Sequence, residues 1–247
     1  GVDEPAKPVV LRPENGGTAR CPVVYRAAGG QPPVFTGSRV IAGWTVRPDG
    51  VWSVQLPDVK AGAWDFSQLF VNGERRFRPR LPKQGYFTTA GDFGKSDAGF
   101  AGFCYTNGDV SAAWANLQDV EFHVLHVWSA SRLRAASVDE AKRAVVFTKV
   151  RPFNAEWGNF KNRRYWAENV KEAFGAPGEW YLDRPTGTLL YTPRPGETPA
   201  GTRVEAPRLA QLLVLQGAEG RPLENTVLEG LVFRGSQWVT PAEGNFT

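Results

Sequence analysis

The sequence predicts a mostly β protein in which short stacked strands at both ends enclose a separate β-rich domain. The chain has 27 glycines, 19 prolines and 15 phenylalanines among its 247 residues. It has few long periodic stretches, and this combination is typical of short strands joined by tight turns. Both ends alternate apolar runs with corners rich in glycine and proline, whereas the middle carries hairpin signals.

The two ends share one pattern. The N-terminal segment "PVVLRPENGGTARCPVVYRAAGGQPPVFTG" has β-rich runs at residues 8–11, 22–26 and 33–35. Residues 212–227 hold one short strand, one corner and the start of another strand. Such spacing is typical of a parallel β-solenoid, in which each coil stacks on the next. We therefore predict that the two ends are neighbouring layers of one stack.

The middle of the chain predicts hairpins instead. "GWTVRPDGVWSVQLP" has a turn at residues 48–50, and "GEWYLDRPTGTLLYTPRPGE" turns at residues 185–187. "DVEFHVLHVWSASRLRAASV" and "AVVFTKV" predict strands of one layer, and only "RRYWAENVKEAF" has the apolar spacing of a short helix. The predicted domains are first coils at 1–42, an inserted β-rich domain with one short helix at 43–203, and a return to coils at 204–247.

The charge pattern argues against nucleic acid and against a membrane span. The net charge is +4 and the isoelectric point about 9.2, but the 29 lysines and arginines are spread along the chain. No window approaches the roughly 18 to 20 apolar residues that a span needs, and no leader peptide opens the chain. Since the chain starts at Gly1 and lacks methionine, we expect that its natural N-terminus has been removed.

The two cysteines, Cys21 and Cys104, have no CxxC neighbours. One disulfide in an oxidising compartment is possible, but we favour two buried free thiols. The sequence also lacks the GxSxG, P-loop, GxGxxG and Cys/His metal signatures, which argues against a serine esterase, a kinase, a dinucleotide enzyme or a zinc site.

Four segments resemble a known group of proteins in the same order along the chain. They are "GGTARCPVVYRAAGGQPPVFTGSRVIAGW", "QLFVNGERRFRPRLP", "NRRYWAENVKEAFGAPGEWYLDRPTGTLLYTP" and "NTVLEGLVFRGSQW". Together they resemble the N-terminal half of bacterial right-handed parallel β-helix proteins related to pectate-lyase-like glycoside hydrolases. The chain is similar to the group that includes family 141 glycosidases, which act on plant polysaccharides.

This resemblance implies both a fold and a function. The fold would be a right-handed parallel β-helix whose N-terminal rungs are interrupted by an inserted β-rich domain. The protein would be secreted or periplasmic and would hydrolyse a plant or microbial polysaccharide without a cofactor, with its catalytic carboxylates on later rungs beyond Thr247. One alternative is a polysaccharide lyase, which would use a Lys or Arg base and often Ca²⁺; another is a non-catalytic carbohydrate-binding or adhesion module.

Glycoside hydrolysis needs two carboxyl groups across the scissile bond, one protonated and one ionised. Glu156, Glu168, Glu229 and Glu243 are the candidates within this chain. Two of them also have a structural interpretation: Glu168 as a helix-surface partner of Arg164, and Glu229 as a solvent-facing residue of a coil.

Two histidines and several tryptophans are candidate sugar contacts. His123 and His126 lie three residues apart on a predicted strand, so their side chains face opposite sides and do not share a metal. If the strand runs unbroken, His126, Trp128 and Arg132 share one face that suits a sugar; packing is the alternative. Trp157 and Trp238 are predicted to be exposed for stacking on sugar rings, and three other tryptophans are predicted to lie in the core, Trp44, Trp52 and Trp180.

The segment "LFVNGERRFRPRLP" concentrates arginines after an Asn-Gly turn at residues 72–73. Strand alternation places Arg76, Arg78 and Arg80 on one face and Phe77 on the other. Three arginines on one face need acidic partners. These are either internal carboxylates at the boundary of the inserted domain, or uronic-acid carboxylates of an acidic polysaccharide, in which case Arg78 would bind substrate.

Overall fold

The computed structural model of the protein describes residues 2–97, 99–151, 158–238 and 245–246. These residues form 23 strands and four short helices. The first twelve strands are β1 (Val2–Asp3), β2 (Val9–Leu11), β3 (Val23–Arg26), β4 (Val34–Thr36), β5 (Ser38–Ile41), β6 (Thr45–Val46), β7 (Trp52–Gln55), β8 (Phe70–Val71), β9 (Glu74–Arg75), β10 (Arg80–Leu81), β11 (Phe87–Ser96) and β12 (Gly99–Tyr105). The others are β13 (Glu121–Leu125), β14 (Ala130–Asp139), β15 (Ala144–Arg151), β16 (Arg164–Glu168), β17 (Trp180–Asp183), β18 (Thr188–Tyr191), β19 (Val204–Pro207), β20 (Leu213–Leu215), β21 (Thr226–Glu229), β22 (Val232–Arg234) and β23 (Asn245–Phe246). The helices are α1 (Pro57–Lys60) and three 3-10 helices at Pro13–Asn15, Leu117–Asp119 and Lys171–Ala173.

The contacts between residues divide the chain into two compact units. The end unit consists of Gly1–Gly43, Ala61–Arg75 and Ala200–Val239, and the barrel unit consists of Trp44–Lys60, Arg76–Pro199 and Thr240–Thr247. Residues 61–75 belong to the end unit, which the sequence did not indicate. The predicted domain boundaries at residues 42 and 203 stay a prediction.

The barrel unit is built around a closed antiparallel barrel of six strands. The strand order is β16, β11, β12, β15, β14 and β13, and β13 pairs back onto β16. This closing ladder runs from Glu121 opposite Glu168 to Leu125 opposite Arg164. On its other edge, β16 pairs in turn with β10 and β11.

Alternation along the strands fills the barrel with aromatic side chains. Phe122 and Val124 of β13, and Tyr165 and Ala167 of β16, are fully buried inside. The ring of Phe103 lies at their centre, 5.0 Å from the ring of Tyr165 and 5.7 Å from the ring of Phe122 between centroids. Burial of one such side chain contributes about 1.5–3 kcal/mol, so the interior stabilises the barrel.

The helix predicted within residues 163–174 is wrong. Most of that segment is strand β16 and the 3-10 helix Lys171–Ala173. Over so few residues the apolar spacing fits a strand as well as a helix, and pairing with β13 and β11 decides for the strand. Asn169 then leaves the extended conformation with φ of 67°. The described helices have three or four residues each, and none has the length and apolar content to cross a membrane.

The end unit joins the two ends of the chain through short parallel ladders. Strand β2 pairs with β20, β3 pairs with β21, and β4 pairs with both β1 and β22, all in parallel. An antiparallel sheet in the order β5, β19, β8 and β9 completes the unit.

The prediction of a mostly β protein is confirmed, but the right-handed parallel β-helix is wrong. Among the described residues the parallel ladders contain strands of two to four residues, and they do not build a solenoid. The longest strands, β11 and β14 with 10 residues each, belong to the barrel. Short connections such as residues 126–129 between β13 and β14 impose antiparallel pairing, because a parallel pair needs a crossover of about a dozen residues or more.

The predicted hairpin turns are confirmed. The turn at residues 48–50 joins β6 to β7, and the turn at 185–187 joins β17 to β18. The Asn-Gly pair at residues 72–73 joins β8 to β9 with φ values of 51° and 81°. Such positive values at both central residues are typical of a tight two-residue hairpin turn.

A second sheet of the barrel unit buries two of the predicted core tryptophans. It has the order β17, β18, β7 and β6. Trp52 and Trp180 are almost completely buried, and the ring of Trp52 lies 5.5 Å from the ring of Tyr191. Trp44 is only partly buried.

Both cysteines are free thiols, as predicted. Cys104 is partly buried, whereas Cys21 is exposed, so the predicted burial is wrong for Cys21. It lies in a tight bend of the backbone, where the main chains of Thr18 and Cys21 form hydrogen bonds with each other. Such a surface bend offers no apolar pocket for the cysteine side chain.

Gly102 provides a test of the barrel packing. A Cβ atom at this position would lie 2.0 Å from the carbonyl oxygen of Val145 on the neighbouring strand β15. We expect Gly102→Ala to lower the free energy of unfolding by about 1–3 kcal/mol, because the backbone must shift to remove the overlap. Denaturant unfolding measures this change.

The matched control is Gly108→Ala, since a Cβ atom there meets nothing within 4 Å. Its unfolding should follow that of the wild type. Equal unfolding midpoints for the Gly102 variant and the wild type would show that β12 and β15 do not approach this closely.

Candidate functional site

The outer face of the barrel carries a cluster of charged and aromatic side chains. Because Phe122 and Tyr165 point inward, their neighbours in sequence point outward. We define the outer-face cluster as Arg78, Glu121, His123, Trp166 and Glu168. In the closing ladder Glu121 lies opposite Glu168, and His123 lies opposite Trp166.

Arg78 links the two glutamates. Its Nη2 donates to Oε2 of Glu121 at 2.6 Å, and its Nε donates to Oε1 of Glu168 at 2.8 Å. The side chains of Arg78 and Glu121 are only 8% and 1% exposed, and that of Glu168 is 24% exposed. A second cation, Arg134 of β14, lies with Nη2 3.5 Å from Oε1 of Glu121.

The electrostatics of this cluster keep both glutamates ionised. Burial by itself would raise the pKa of Glu121, but the charge and hydrogen bond of Arg78 outweigh it and hold the pKa below its ordinary value. Burial likewise opposes ionisation of Glu168, yet Arg78 lowers the pKa of that carboxyl to about 2. In return, the two carboxylates overcome the cost of burying Arg78 and raise its pKa.

His123 is held neutral beside the glutamates. Its ring stacks on Trp166 with centroids 4.5 Å apart and planes 12° from parallel. Burial lowers the pKa of His123 to about 4, although Glu168 and Glu121 oppose this and Arg132 and Arg78 reinforce it. Its Nε2 atom lies 3.3 Å from Oε2 of Glu168 but has no hydrogen-bond partner.

These properties make the glutamate pair an unsuitable acid and base for hydrolysis. A glycosidase needs one carboxyl group that stays protonated near neutral pH, which burial away from cations provides. Glu121 and Glu168 share an arginine that lowers both pKa values. The pair is therefore an internal ion-pair network that ties β13 and β16 to the segment before β10.

A rim of arginines and aromatic rings borders the cluster. Cζ of Arg80 lies 5.0 Å from the ring centre of Trp166 and 5.8 Å from that of Tyr86, and Cζ of Arg164 lies 5.1 Å from the ring centre of Tyr86. Tyr86 is 47% exposed. The rings of Tyr86 and Trp166 are 5.9 Å apart, so the guanidinium groups and rings are interleaved.

Two arginines of the 69–82 segment, Arg76 and Arg78, bind internal carboxylates, which is one of the two predicted outcomes. Nη2 of Arg76 donates to Oε1 of Glu197 at 2.7 Å, and its Nε donates to the hydroxyl of Tyr191 at 3.1 Å. The predicted alternation holds for Phe77, which is 63% exposed while Arg76 is buried. The role of Arg78 as a substrate contact does not fit its position, because it is buried against two glutamates.

Of the catalytic candidates, Glu168 belongs to the outer-face cluster. Glu168 is on a strand rather than a helix, so its predicted helical pairing with Arg164 is wrong. Glu229 is exposed at the end of β21 in the end unit. Glu156 and Glu243 lie outside the described residues.

His126, Trp128 and Arg132 do not share one face, because the strand predicted to carry them is interrupted. β13 ends at Leu125, and the N–H of His126 donates to the carbonyl of Ser129 in the following turn. His126 is buried with Nε2 2.6 Å from Oγ of Ser131, whereas Trp128 is 69% exposed in the turn.

The remaining substrate candidates are Arg132, Trp157 and Trp238. Arg132 faces outward across from His123. Trp238, in the end unit, is 52% exposed, so its predicted exposure is confirmed. Trp157 lies outside the described residues. Their roles as sugar contacts stay predictions. In the described part of the chain, no group of three or more His, Cys, Asp or Glu residues is arranged to hold a metal ion.

Sequence reasoning missed Glu121, Trp166 and Tyr86 as site residues. The signal was present in "EFHV" and "RYWAE", where polar or amphipathic residues alternate with apolar ones at the period of a strand. Taking the second segment as a helix concealed this alternation. The pairing of the two segments could not be inferred from either alone.

The fold and this site define a mostly β protein with a closed antiparallel barrel and a charged outer face. A solved structure titled "Glycoside hydrolase" is similar to this chain, with a TM-score of 0.81 and 25% sequence identity. The similarity covers 99% of this chain and 44% of that chain, so the present chain spans less than half the length of the hydrolase. No protein-family model and no curated protein matches the sequence. The similarity supports the expected relation to glycoside hydrolases; membership of family 141 stays a prediction.

Substitution of Arg78 tests the ion-pair network. Arg78→Gln leaves Glu121 and Glu168 buried without their cation, which should cost about 3–5 kcal/mol of unfolding free energy near neutral pH. Below pH 4 the destabilisation caused by the substitution should become smaller, because both glutamates can then be protonated in the variant. The wild type in turn loses the stabilisation from ionised Glu168 as the pH falls toward about 2. Denaturant unfolding between pH 3 and pH 7 follows both effects.

Arg47→Gln is the matched control. Arg47 belongs to the same unit and pairs at 3.2 Å with Asp49, but its side chain is 47% exposed. Loss of an exposed pair should cost about 0–1 kcal/mol. An Arg78 variant no less stable than this control would contradict the network.

His123 provides a separate pH test. Its pKa in the folded protein is about 4 against an ordinary 6.5, so between these values the unfolded chain binds more protons. The contribution of neutral His123 to the free energy of unfolding is therefore fully present above pH 6.5 and decreases as the pH drops toward 4. We expect His123→Gln to flatten this part of the stability profile, a difference on the order of 3 kcal/mol.

His126 is present in both proteins, so its contribution cancels in the comparison of wild type with variant. Parallel stability profiles between pH 4 and pH 6.5 would mean that His123 titrates as an ordinary exposed histidine.

Proposed function

We propose that this chain is part of a glycoside hydrolase that acts on a plant or microbial polysaccharide, and that the catalytic carboxylates lie outside its 247 residues. The structural similarity to a glycoside hydrolase over nearly the whole chain carries this proposal. The identity is low, so the similarity alone does not select a substrate.

The glutamate pair of the outer-face cluster does not supply the acid and base, which supports the proposal that catalysis takes place elsewhere. Glu121 and Glu168 lie opposite each other on β13 and β16, and both are held ionised by Arg78. A general acid at this position would have to be protonated near neutral pH. The barrel therefore contributes a rigid surface rather than the acid and base.

A polymeric substrate is too large to enter a cell intact. We therefore also propose that the protein acts outside the cytoplasm, in a secreted or periplasmic location. The retaining or inverting outcome depends on the separation of the catalytic carboxyl groups, which lie outside this chain under the proposal.

A non-catalytic carbohydrate-binding module is the second candidate function. The ionised glutamate pair favours this second function, because such a pair beside an arginine-rich rim suits binding rather than bond cleavage. The two candidates differ in one measurable property, the release of new reducing ends.

The test compares this chain with the longer polypeptide that contains it, on a panel of plant and microbial polysaccharides. We expect reducing ends from the longer polypeptide and none from the 247-residue chain. In the longer polypeptide, Glu168→Gln should keep kcat within about tenfold, whereas loss of a catalytic carboxylate removes several orders of magnitude.

Hydrolysis by the 247-residue chain alone would contradict the location of the catalytic carboxylates. Binding of polysaccharide by the longer polypeptide without product release would favour the non-catalytic module. Unsaturated uronate products would instead show a lyase.

A further inference from the structure

The arginine rim of the barrel has an unusual charge balance. We define the rim as Arg80, Tyr86, Arg132 and Arg164 around Trp166. Within the described residues neither Arg132 nor Arg164 forms an ion pair, and Arg80 donates only to the backbone carbonyls of Pro82 and Gly85.

The adjoining cluster does not neutralise the rim. Arg78 and Arg134 already balance the two glutamates, Glu121 and Glu168. Among the residues that the structure describes, no carboxylate compensates the positive charge of the three rim arginines. An accessible group of like charges attracts an anionic ligand, and more strongly at low salt.

Aromatic rings hold two of these guanidinium groups in place. The Cζ atoms of Arg80 and Arg164 lie between 5.0 and 5.8 Å from the ring centres of Trp166 and Tyr86. Arg80 already donates from Nε and Nη2 to backbone carbonyls, whereas the guanidinium of Arg164 offers an N–H edge that matches the two oxygens of a carboxylate. Because the arginines are already ordered by the rings, binding costs less side-chain entropy.

The rim also rests on a rigid base. His123 stacks beneath Trp166, and both lie on the ladder that closes the barrel. Arg132 lies directly opposite His123 on β14. Strand pairing therefore fixes the backbone positions of Arg132, Arg164 and Trp166, and a site built on strands is positioned more precisely than one on loops.

We propose that this rim binds a glycan that carries uronic acids, with Arg164 and Arg132 contacting sugar carboxylates and the exposed ring of Tyr86 contacting a sugar face. This proposal rests on the proposed function and names its substrate class. A sugar presents an apolar ring face for Tyr86 and a planar carboxylate for the arginines. Nucleic acid fits less well, because its binding relies on many phosphate contacts along a basic groove, and the rim has three arginines.

The experiment is calorimetric titration of the 247-residue protein with a short oligogalacturonate at low salt. We expect Arg164→Gln to weaken binding about tenfold, by loss of a charge-assisted carboxylate contact. The control Arg47→Gln removes the same charge from the hairpin between β6 and β7 and should leave binding unchanged. Tyr86→Ala should also weaken binding, whereas Phe77→Ala, which removes an aromatic ring that is 63% exposed, should not.

Two further ligands make the result specific. The carboxyl-reduced, neutral form of the same oligosaccharide should bind much more weakly, and a single-stranded oligonucleotide of equal charge should not compete. Equal affinity for the neutral form, equal affinity for the oligonucleotide, or unchanged binding by Arg164→Gln would overturn the proposal. Any of these outcomes leaves the proposed function intact if the longer polypeptide still hydrolyses a neutral polysaccharide.

Discussion

The barrel closes over a pair of like charges, and one guanidinium makes that closure possible. Glu121 and Glu168 lie directly opposite each other on β13 and β16, an arrangement that is unfavourable for two carboxylates. Arg78 donates to both within 2.8 Å and lies outside the two strands that it joins. The ladder that completes the barrel thus depends on a residue from the preceding segment of the chain.

Alternation along the closing strands gives each strand an apolar inner side and a polar or aromatic outer side. One side of β13 and β16 carries Phe122 and Tyr165, which pack in the interior, and the other side carries His123 and Trp166, which stack on the outer face of the barrel. A one-residue change of register would exchange these two sets. The glutamate pair fixes the register, because only this alignment brings both carboxylates to Arg78.

Local features of this fold could be predicted from sequence, whereas its closure could not. Turns at residues 48–50, 72–73 and 185–187 follow from glycine and its neighbours. The prediction of a parallel solenoid was wrong, because short apolar runs separated by corners do not specify how many coils stack. The sequence pointed to Arg78 as a partner of either internal carboxylates or a substrate and to Glu168 as one candidate carboxylate, but they are 90 residues apart and nothing local indicates that they meet.

The burial of an arginine side chain determines its role in this barrel. Arg78 is buried, so its charge is tolerated only because two carboxylates surround it, and its guanidinium cannot serve a ligand. Arg164 is exposed on the same outer face, where water compensates its charge until an anion replaces that water. The buried arginine lowers the pKa of its neighbours and thereby removes the proton that acid catalysis requires. The exposed arginine leaves its donors available, so this face of the barrel suits recognition of acidic groups rather than cleavage of a glycosidic bond.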